Sequence, residues 1–280
     1  MNKIIRQILC LLLFAHVHTL AIIFESNNLQ DISKYIDKKS KGTQETIVIF
    51  DIDHTIAELP IDLDTWIPNN IARLQQKGLS KEDAVSFTLN LYFTLQNFLE
   101  LTPIGNSCEL IKKLQKQNIP VMALTNRSIV VAKRTISQFS QKDIDLSIKS
   151  PIKKTLEFPV TYNCRFSHGI LFVASNDKGR ALFAFFEKAH IKPKKIIFVD
   201  DKEKYLISVE KEAKKRNIEF VGMRFSLQDK KKKAFDFDKV EQQICDLKAK
   251  IGIDPIQIAS KKSAKIKTTK IASNKFAVGT

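Results

Sequence analysis

The sequence predicts a Rossmann-like, three-layer α/β fold: a mainly parallel sheet covered by helices, with a helical insertion. Three observations predict it. Four short runs, residues 47–50, 121–124, 170–173 and 196–199, are apolar throughout instead of alternating, which is the pattern of strands buried on both faces. Each run leads into polar residues able to do chemistry, and open α/β sheets bind ligands at the carboxyl ends of their strands. A chain of 280 residues that is 44% hydrophobic is long enough for one such core plus an insertion.

At the amino terminus, Lys3 and Arg6 precede a short apolar run, residues 8–15, which is followed by Thr19-Leu20-Ala21. This is the layout of a secretory signal peptide over residues 1–21, giving a periplasmic or secreted chain that starts near Ile22. The run is short for a membrane span, and His16 and His18 interrupt its extension; an uncleaved membrane anchor is the alternative. Without Cys10, the remaining Cys108, Cys164 and Cys245 are an odd set that permits at most one disulfide. None has the spacing of a zinc ligand or a nucleophile, so all three are expected to be inert thiols.

The strand at 47–50 runs into Asp51 and Asp53, spaced i, i+2, and then Thr55. Buried unpaired charge costs several kcal/mol, so two acids at the end of a buried strand call for a partner, and a metal ion would serve. A calcium loop is the bland alternative, but no EF-hand spacing follows. Residues 56–104 exceed what a crossover needs, and helical periodicity is predicted over 66–76 and 80–101, with Ser80 and Asp83 resembling a capping box. Trp66, Tyr92, Phe93 and Phe98 at helical spacing are expected in a core, with pocket lining as the alternative.

The second strand ends in Thr125-Asn126-Arg127. A second insertion, about 143–168, holds a short strand-like segment at 158–162 and reads as a small β-flap, with a structural His168. The third strand leads through Asp177 to Lys178 at the head of a helix, and the fourth ends in Asp200-Asp201. A final strand is expected at 219–224, then the run Lys230, Lys231, Lys232 and Lys233, and a helix at 237–250. From Pro255 onward there are six lysines and no acid, which predicts a disordered tail. The net charge of +16 falls to +14 if Lys3 and Arg6 are removed. That balance suits weak contact with anionic surfaces through the tail; nothing indicates sequence-specific nucleic-acid binding, a P-loop or a dinucleotide fingerprint.

Taken singly, Thr125, Lys178 and the acidic pair are ordinary turn, surface and cap residues. In order and spacing they resemble the haloacid dehalogenase-like superfamily, whose pattern is DxDxT on the first strand, Ser or Thr after the second, Lys starting a later helix and an acidic pair after the next strand. The resemblance covers roughly residues 45–225 and is to an exported bacterial branch akin to the phosphatases. It implies a magnesium-dependent phosphohydrolase acting on a small phosphorylated substrate. Asp51 would be the nucleophile and Asp53 the general acid and base. Magnesium would be held by Asp51, the backbone carbonyl of Asp53 and Asp200, with Asp201 supporting a bound water or Lys178. Thr125, Asn126 and Lys178 would bind the phosphate. The resemblance also implies a catalytic core over 22–225 with a cap at about 58–104 that closes over the site; beyond it the residues themselves give a helical extension at 226–254 and the tail at 255–280. His54 departs from the all-acidic first motif usual in the secreted acid phosphatases of the superfamily. Two other functions stay open: a non-catalytic binding protein at an envelope or host surface, and a phosphomutase, which would transfer phosphate without net release.

Overall fold

A computed structural model describes residues 21–36 and 45–252. The expected signal peptide, apart from Ala21, and the basic tail lie outside the described residues. In chain order the elements are β1 (Ala21–Ser26), a 3₁₀ helix (Leu29–Tyr35), β2 (Thr46–Phe50), β3 (Ala57–Glu58), α1 (Leu63–Gln76), α2 (Lys81–Phe98) and β4 (Thr102–Pro103). There follow α3 (Ser107–Lys116), β5 (Val121–Thr125), a 3₁₀ turn (Ile129–Val131), α4 (Ala132–Gln141), β6 (Leu156–Pro159), β7 (Asn163–Ser167) and β8 (Ile170–Phe172). The chain continues with α5 (Lys178–Ala189), β9 (Lys195–Asp200), α6 (Glu203–Lys214), β10 (Glu219–Phe225), α7 (Asp229–Lys233) and α8 (Phe237–Lys250). They group into two units: residues up to Pro60 with Leu95–Lys233, and Ile61–Thr94 with the residues from Ala234 on.

The first unit is built on an eight-stranded sheet of order β1-β10-β9-β2-β5-β8-β7-β6. The strands from β1 to β8 in that order pair in parallel; β7 and β6 add an antiparallel edge. Successive side chains on a strand face opposite ways. Ile47, Ile49, Met122, Leu124, Leu171, Ile196, Phe198 and Phe220 accordingly form one core with Leu182, Phe185 and Phe186 of α5 and Leu206 and Val209 of α6. The alternate residues Val48, Phe50, Val121, Ala123, Phe172, Ile197, Val199 and Met223 are also buried, so both sheet faces are covered. This is the mainly parallel α/β architecture that the apolar runs predict.

The fit between α5 and α6 fixes the start of α5. Asp177 caps the helix by accepting from Arg180 N at 2.8 Å, and its other oxygen accepts from the Ser208 hydroxyl at 2.7 Å. Ser208 Oγ in turn accepts from Gly179 N at 2.8 Å. A Cβ on Gly179 would lie 2.3 Å from the Ser208 carbonyl oxygen, so only glycine permits this approach.

Two parts of the first unit differ from expectation. Residues 21–26, which begin at the last residue of the expected signal sequence, form a strand the sequence does not predict, β1, and pair in parallel with β10, the expected final strand of the chain. The second insertion is no separate flap: β6 and β7 are edge strands of the main sheet, and 160–162 form their turn. Asn176 closes that turn, accepting from Thr161 N and Tyr162 N at 2.9 Å and donating to Tyr162 O at 2.9 Å.

In the second unit, Asp62 accepts from Thr65 N at 3.0 Å, so α1 starts earlier than its apolar periodicity suggests. Ser80 and Asp83 cap α2, with Asp83 N donating to Ser80 Oγ at 3.1 Å and the Ser80 hydroxyl to the Asp83 carboxylate at 2.7 Å. Trp66 is fully buried, and its Nε1 donates to Glu241 of α8 at 2.5 Å. Arg73 pairs with Glu241 at 2.7 Å and lies over the Phe237 ring. Trp66 and Tyr92 are core residues; Phe98, at the end of α2 and within the first unit, is 49% exposed. Among the described residues no helix is long and apolar enough to cross a membrane.

Candidate active site

Four carboxyl ends of strands bring the site together. Asp51 follows β2, and its backbone N–H donates to Val199 O of the adjacent β9 at 2.8 Å, so the two central strands stay paired up to the acids. Asp200 ends β9 and Asp201 follows it. All three carboxyl groups are buried, and each offers an oxygen within 4.8 Å of the others.

Lys178, in the first turn of α5, enters this cluster with a side chain only 1% exposed. Its Nζ is 2.8 Å from Asp51 Oδ1 and 2.7 Å from Asp200 Oδ2. It also lies 4.5 Å from the centroid of the Tyr205 ring. Asp200 uses its second oxygen to accept from Lys202 N at 2.8 Å.

Lys178 meets two of the three buried carboxylates and Lys232 the third, so two ammonium groups face three acids. Burial raises the Asp51 pKa well above the carboxylate range; Lys178 opposes the rise, and Asp200 and Asp201 reinforce it. Asp200 is pushed up to about 6 by burial, again against Lys178 and with Asp201. Burial disfavours the Lys178 charge, but Asp200 and Asp51 outweigh it and hold its pKa above the ordinary lysine value. The cluster has room for more positive charge, and its donor set is carboxylate oxygen alone. That set fits a hard divalent cation such as magnesium.

The remaining predicted residues lie around this centre. Asp53 is outside the acidic cluster. After it, His54 takes a left-handed conformation (φ 61°) and its N–H donates to Ala57 O at 3.0 Å, turning the chain. Both Asp53 oxygens are held by Arg127: Nη2 to Oδ1 at 2.7 Å and Nε to Oδ2 at 2.9 Å. The Arg127 side chain is 1% exposed, and its Nη1 donates to Thr135 Oγ1 at 3.2 Å. Thr125 ends β5, and its Oγ1 accepts from Arg127 N at 3.1 Å. Asn126 does not present a free amide: its Nδ2 donates to the Tyr205 hydroxyl at 2.6 Å. Asp201 does not touch Lys178; Lys232 of α7 pairs with it.

Sequence reasoning missed three residues here. Arg127 had a signal, since it closes the run Thr125-Asn126-Arg127, but nothing local says that it reaches Asp53. Lys232 was hidden in a lysine run that looks like surface. The run is strapped down by Arg224 to Asp229 at 2.6 Å and Lys231 to Glu58 at 2.6 Å. Tyr205 lies in the first turn of α6 and gives no signal of its own. Cys108, Cys164 and Cys245 are free thiols; burial raises the Cys164 pKa to about 11, which keeps it protonated and unreactive at neutral pH.

The fold and site therefore define an α/β protein with a buried lysine–carboxylate cluster at the carboxyl edge of a mainly parallel sheet. By sequence the chain matches, over residues 25–253, the family described as "Protein of unknown function (DUF2608)", and it belongs to that family. A protein of Chlamydia pneumoniae named "Putative outer membrane protein" is 24% identical over 185 residues, covering 65% of this chain and 70% of its own length. A protein of the same name from Chlamydia trachomatis serovar D is 25% identical over 182 residues, covering 64% and 68%. Among solved structures, a haloacid dehalogenase-like family hydrolase from Streptococcus pneumoniae has a TM-score of 0.40 at 13% identity, covering 64% of this chain and 94% of its own. A structure titled "predicted phosphatase" from Clostridium acetobutylicum has a TM-score of 0.41 at 14% identity, covering 67% and 97%.

Proposed function

We propose that this protein is an exported, magnesium-dependent phosphohydrolase that cleaves a phosphate monoester through an aspartyl-phosphate on Asp51. The observation that carries the reading is Lys178, buried and bridging Asp51 and Asp200 beside Asp201. Phosphoryl transfer needs a positioned nucleophile and neutralisation of phosphate charge more than covalent help, and this cluster offers both. The motif order of the haloacid dehalogenase-like superfamily supports the same assignment. The name carried by the Chlamydia relatives agrees with export.

In this reading an Asp51 oxygen attacks phosphorus, the bond from phosphorus to the ester oxygen breaks, and that oxygen takes a proton from Asp53. Water then attacks the phosphorus of the aspartyl-phosphate and gives a proton to Asp53. Inorganic phosphate leaves and Asp51 is regenerated. The Thr125 oxygen is occupied by the Arg127 N–H, so its own proton is available to a phosphoryl oxygen. Lys178 offsets charge on nucleophile and phosphate. Arg127 sets the direction of the Asp53 carboxylate, and one of its two hydrogen bonds must give way for a proton to move. Asp51, Asp200 and the backbone carbonyl of Asp53 would hold magnesium, which when bound polarises and neutralises the phosphoryl group.

The test is phosphate release from aryl and alkyl phosphates by the purified mature chain, with magnesium and with chelator. Turnover that needs magnesium and vanishes in Asp51→Asn is expected; turnover that survives either change overturns the reading. One observation favours a second reading, a phosphate-binding protein without turnover: both oxygens of Asp53 are occupied by Arg127. That reading predicts phosphate binding with no release from any ester.

A further inference from the structure

Asn126 presents an anomaly. Its Nδ2 donates to the Tyr205 hydroxyl at 2.6 Å, while its Oδ1 is buried and has no hydrogen-bond partner among the described residues. Buried polar atoms are nearly always paired, and an orphan calls for an explanation. As an acceptor in this contact, the Tyr205 hydroxyl also gives its own proton no acceptor among the described residues. A half-turn of the carboxamide about its terminal bond, which exchanges O and N, resolves both. Tyr205 then donates to Asn126 Oδ1, and the NH₂ group takes the place of the orphaned oxygen with its donors unspent.

We infer that Tyr205 is a positioning residue whose hydroxyl orients the Asn126 carboxamide so that its N–H groups meet a phosphoryl oxygen of the substrate. This rests on the phosphohydrolase reading and deepens it by assigning to Tyr205, outside the four motifs, the orientation of an amide that the resemblance already places on the phosphate. The placement supports it. Asn126 directly follows Thr125 at the carboxyl end of β5. The Tyr205 ring lies 4.5 Å from Lys178 Nζ, and that lysine contacts Asp51 at 2.8 Å. One side chain of α6 thus touches a residue next to Thr125 and the ammonium that neutralises the nucleophile. The Lys178 ammonium attracts an anionic oxygen, which accepts hydrogen bonds and offers none to the Asn126 Oδ1 of the other orientation. An anion therefore selects the orientation in which Tyr205 donates.

The experiment uses inorganic phosphate and vanadate as competitive inhibitors of the full mature chain, with binding of phosphate also followed by calorimetry. Tyr205→Phe removes the hydroxyl but keeps the ring over Lys178. It is expected to weaken both inhibitors by about tenfold, the scale of one hydrogen bond to a charged group, with a matching rise in KM and a smaller change in kcat. Asn126→Ala should do the same, and the double variant should be no weaker than Asn126→Ala alone, since Tyr205 acts only through the amide. Additive losses, or an unchanged phosphate affinity in Tyr205→Phe while wild-type turnover is intact, overturn the inference alone. If Tyr205→Phe fails to fold, the inference stands or falls on Asn126→Asp, which keeps an acceptor for Tyr205 but repels the anion: it must lose phosphate affinity at least as far as Asn126→Ala. A wild-type chain that neither binds phosphate nor turns over any ester overturns the phosphohydrolase reading, and this inference with it.

Discussion

Lys178 carries its charge into a space almost closed to water, where, among the described residues, Asp51 and Asp200 meet its ammonium at hydrogen-bond distance. Breaking a buried pair by removing one partner costs about 3–5 kcal/mol. Lys178→Met should therefore lower stability by a few kcal/mol at pH 7.5, read from the denaturant midpoint in chelator, and abolish turnover; an unchanged midpoint would show that the cluster is held by something else. Asp200 supplies a pH prediction. Its folded pKa is about 6, above the ordinary value of 3.8, so the folded state binds more protons than the unfolded chain between those limits. Stability from this group is full below about pH 4 and is lost as pH rises through 6. In chelator the wild type should lose this contribution between those values, and Asp200→Asn should show a flatter profile over the same range. Magnesium needs ionised carboxylates, so its stabilising effect should be larger at pH 7.5 than at pH 5.5; an equal thermal shift at both would contradict that. Asp53→Asn should lower turnover by roughly 10²–10⁴-fold while magnesium binding survives, and an equal fall in magnesium affinity would make the Asp53 side chain a ligand.

At the scale of elements, α5 delivers Lys178 to the cluster only because α6 packs hard against its first turn. The three-way tie of Asp177, Gly179 and Ser208 holds that contact. Gly179→Ala puts a methyl group against backbone that has no freedom to yield, and overpacking of this kind costs about 1–3 kcal/mol. The expected result is a lowered midpoint with a larger loss of kcat than in Ser208→Ala, because the methyl displaces the helix that carries Lys178. Equal losses in both variants would mean that only the hydrogen bond matters. The elements also show where local pattern runs out. The apolar runs at 47–50 and 196–199 mark central strands, since a strand buried on both faces has no other composition. Residues 21–24 are apolar too, but Glu25 and Ser26 follow and a signal-like stretch adjoins them, and only pairing with β10 makes 21–26 a strand. The hairpin of β6 and β7 has edge-strand composition, and nothing in it says which sheet it joins.

For the whole molecule, the described candidate residues all lie in the first unit. Truncation after Asp254 removes six lysines and none of these residues. Turnover of a small phosphate ester should change little, whereas salt-sensitive adsorption to anionic vesicles should weaken. A truncated chain that unfolds would show that the segment packs against the rest. Sequencing the amino terminus of the exported form should find a start near Ile22; an intact Met1 in a cytoplasmic fraction would refute export.

The sequence by itself determined the α/β class, the strand ends that carry Asp51, Thr125 and Asp200, and the helix head that carries Lys178. Those features are local: burial on both faces selects unbroken apolar runs, and the polar residue that ends a run is read directly from its neighbours. Tertiary structure alone decided the pairings. That Arg127 takes both oxygens of Asp53, that Lys232 and not Lys178 meets Asp201, and that Tyr205 reaches Asn126 all depend on which side chains the sheet order and helix packing bring within 3 Å. A long charged or polar side chain is compatible with solvent everywhere in a sequence. Only the desolvation imposed by the completed fold obliges it to choose one partner.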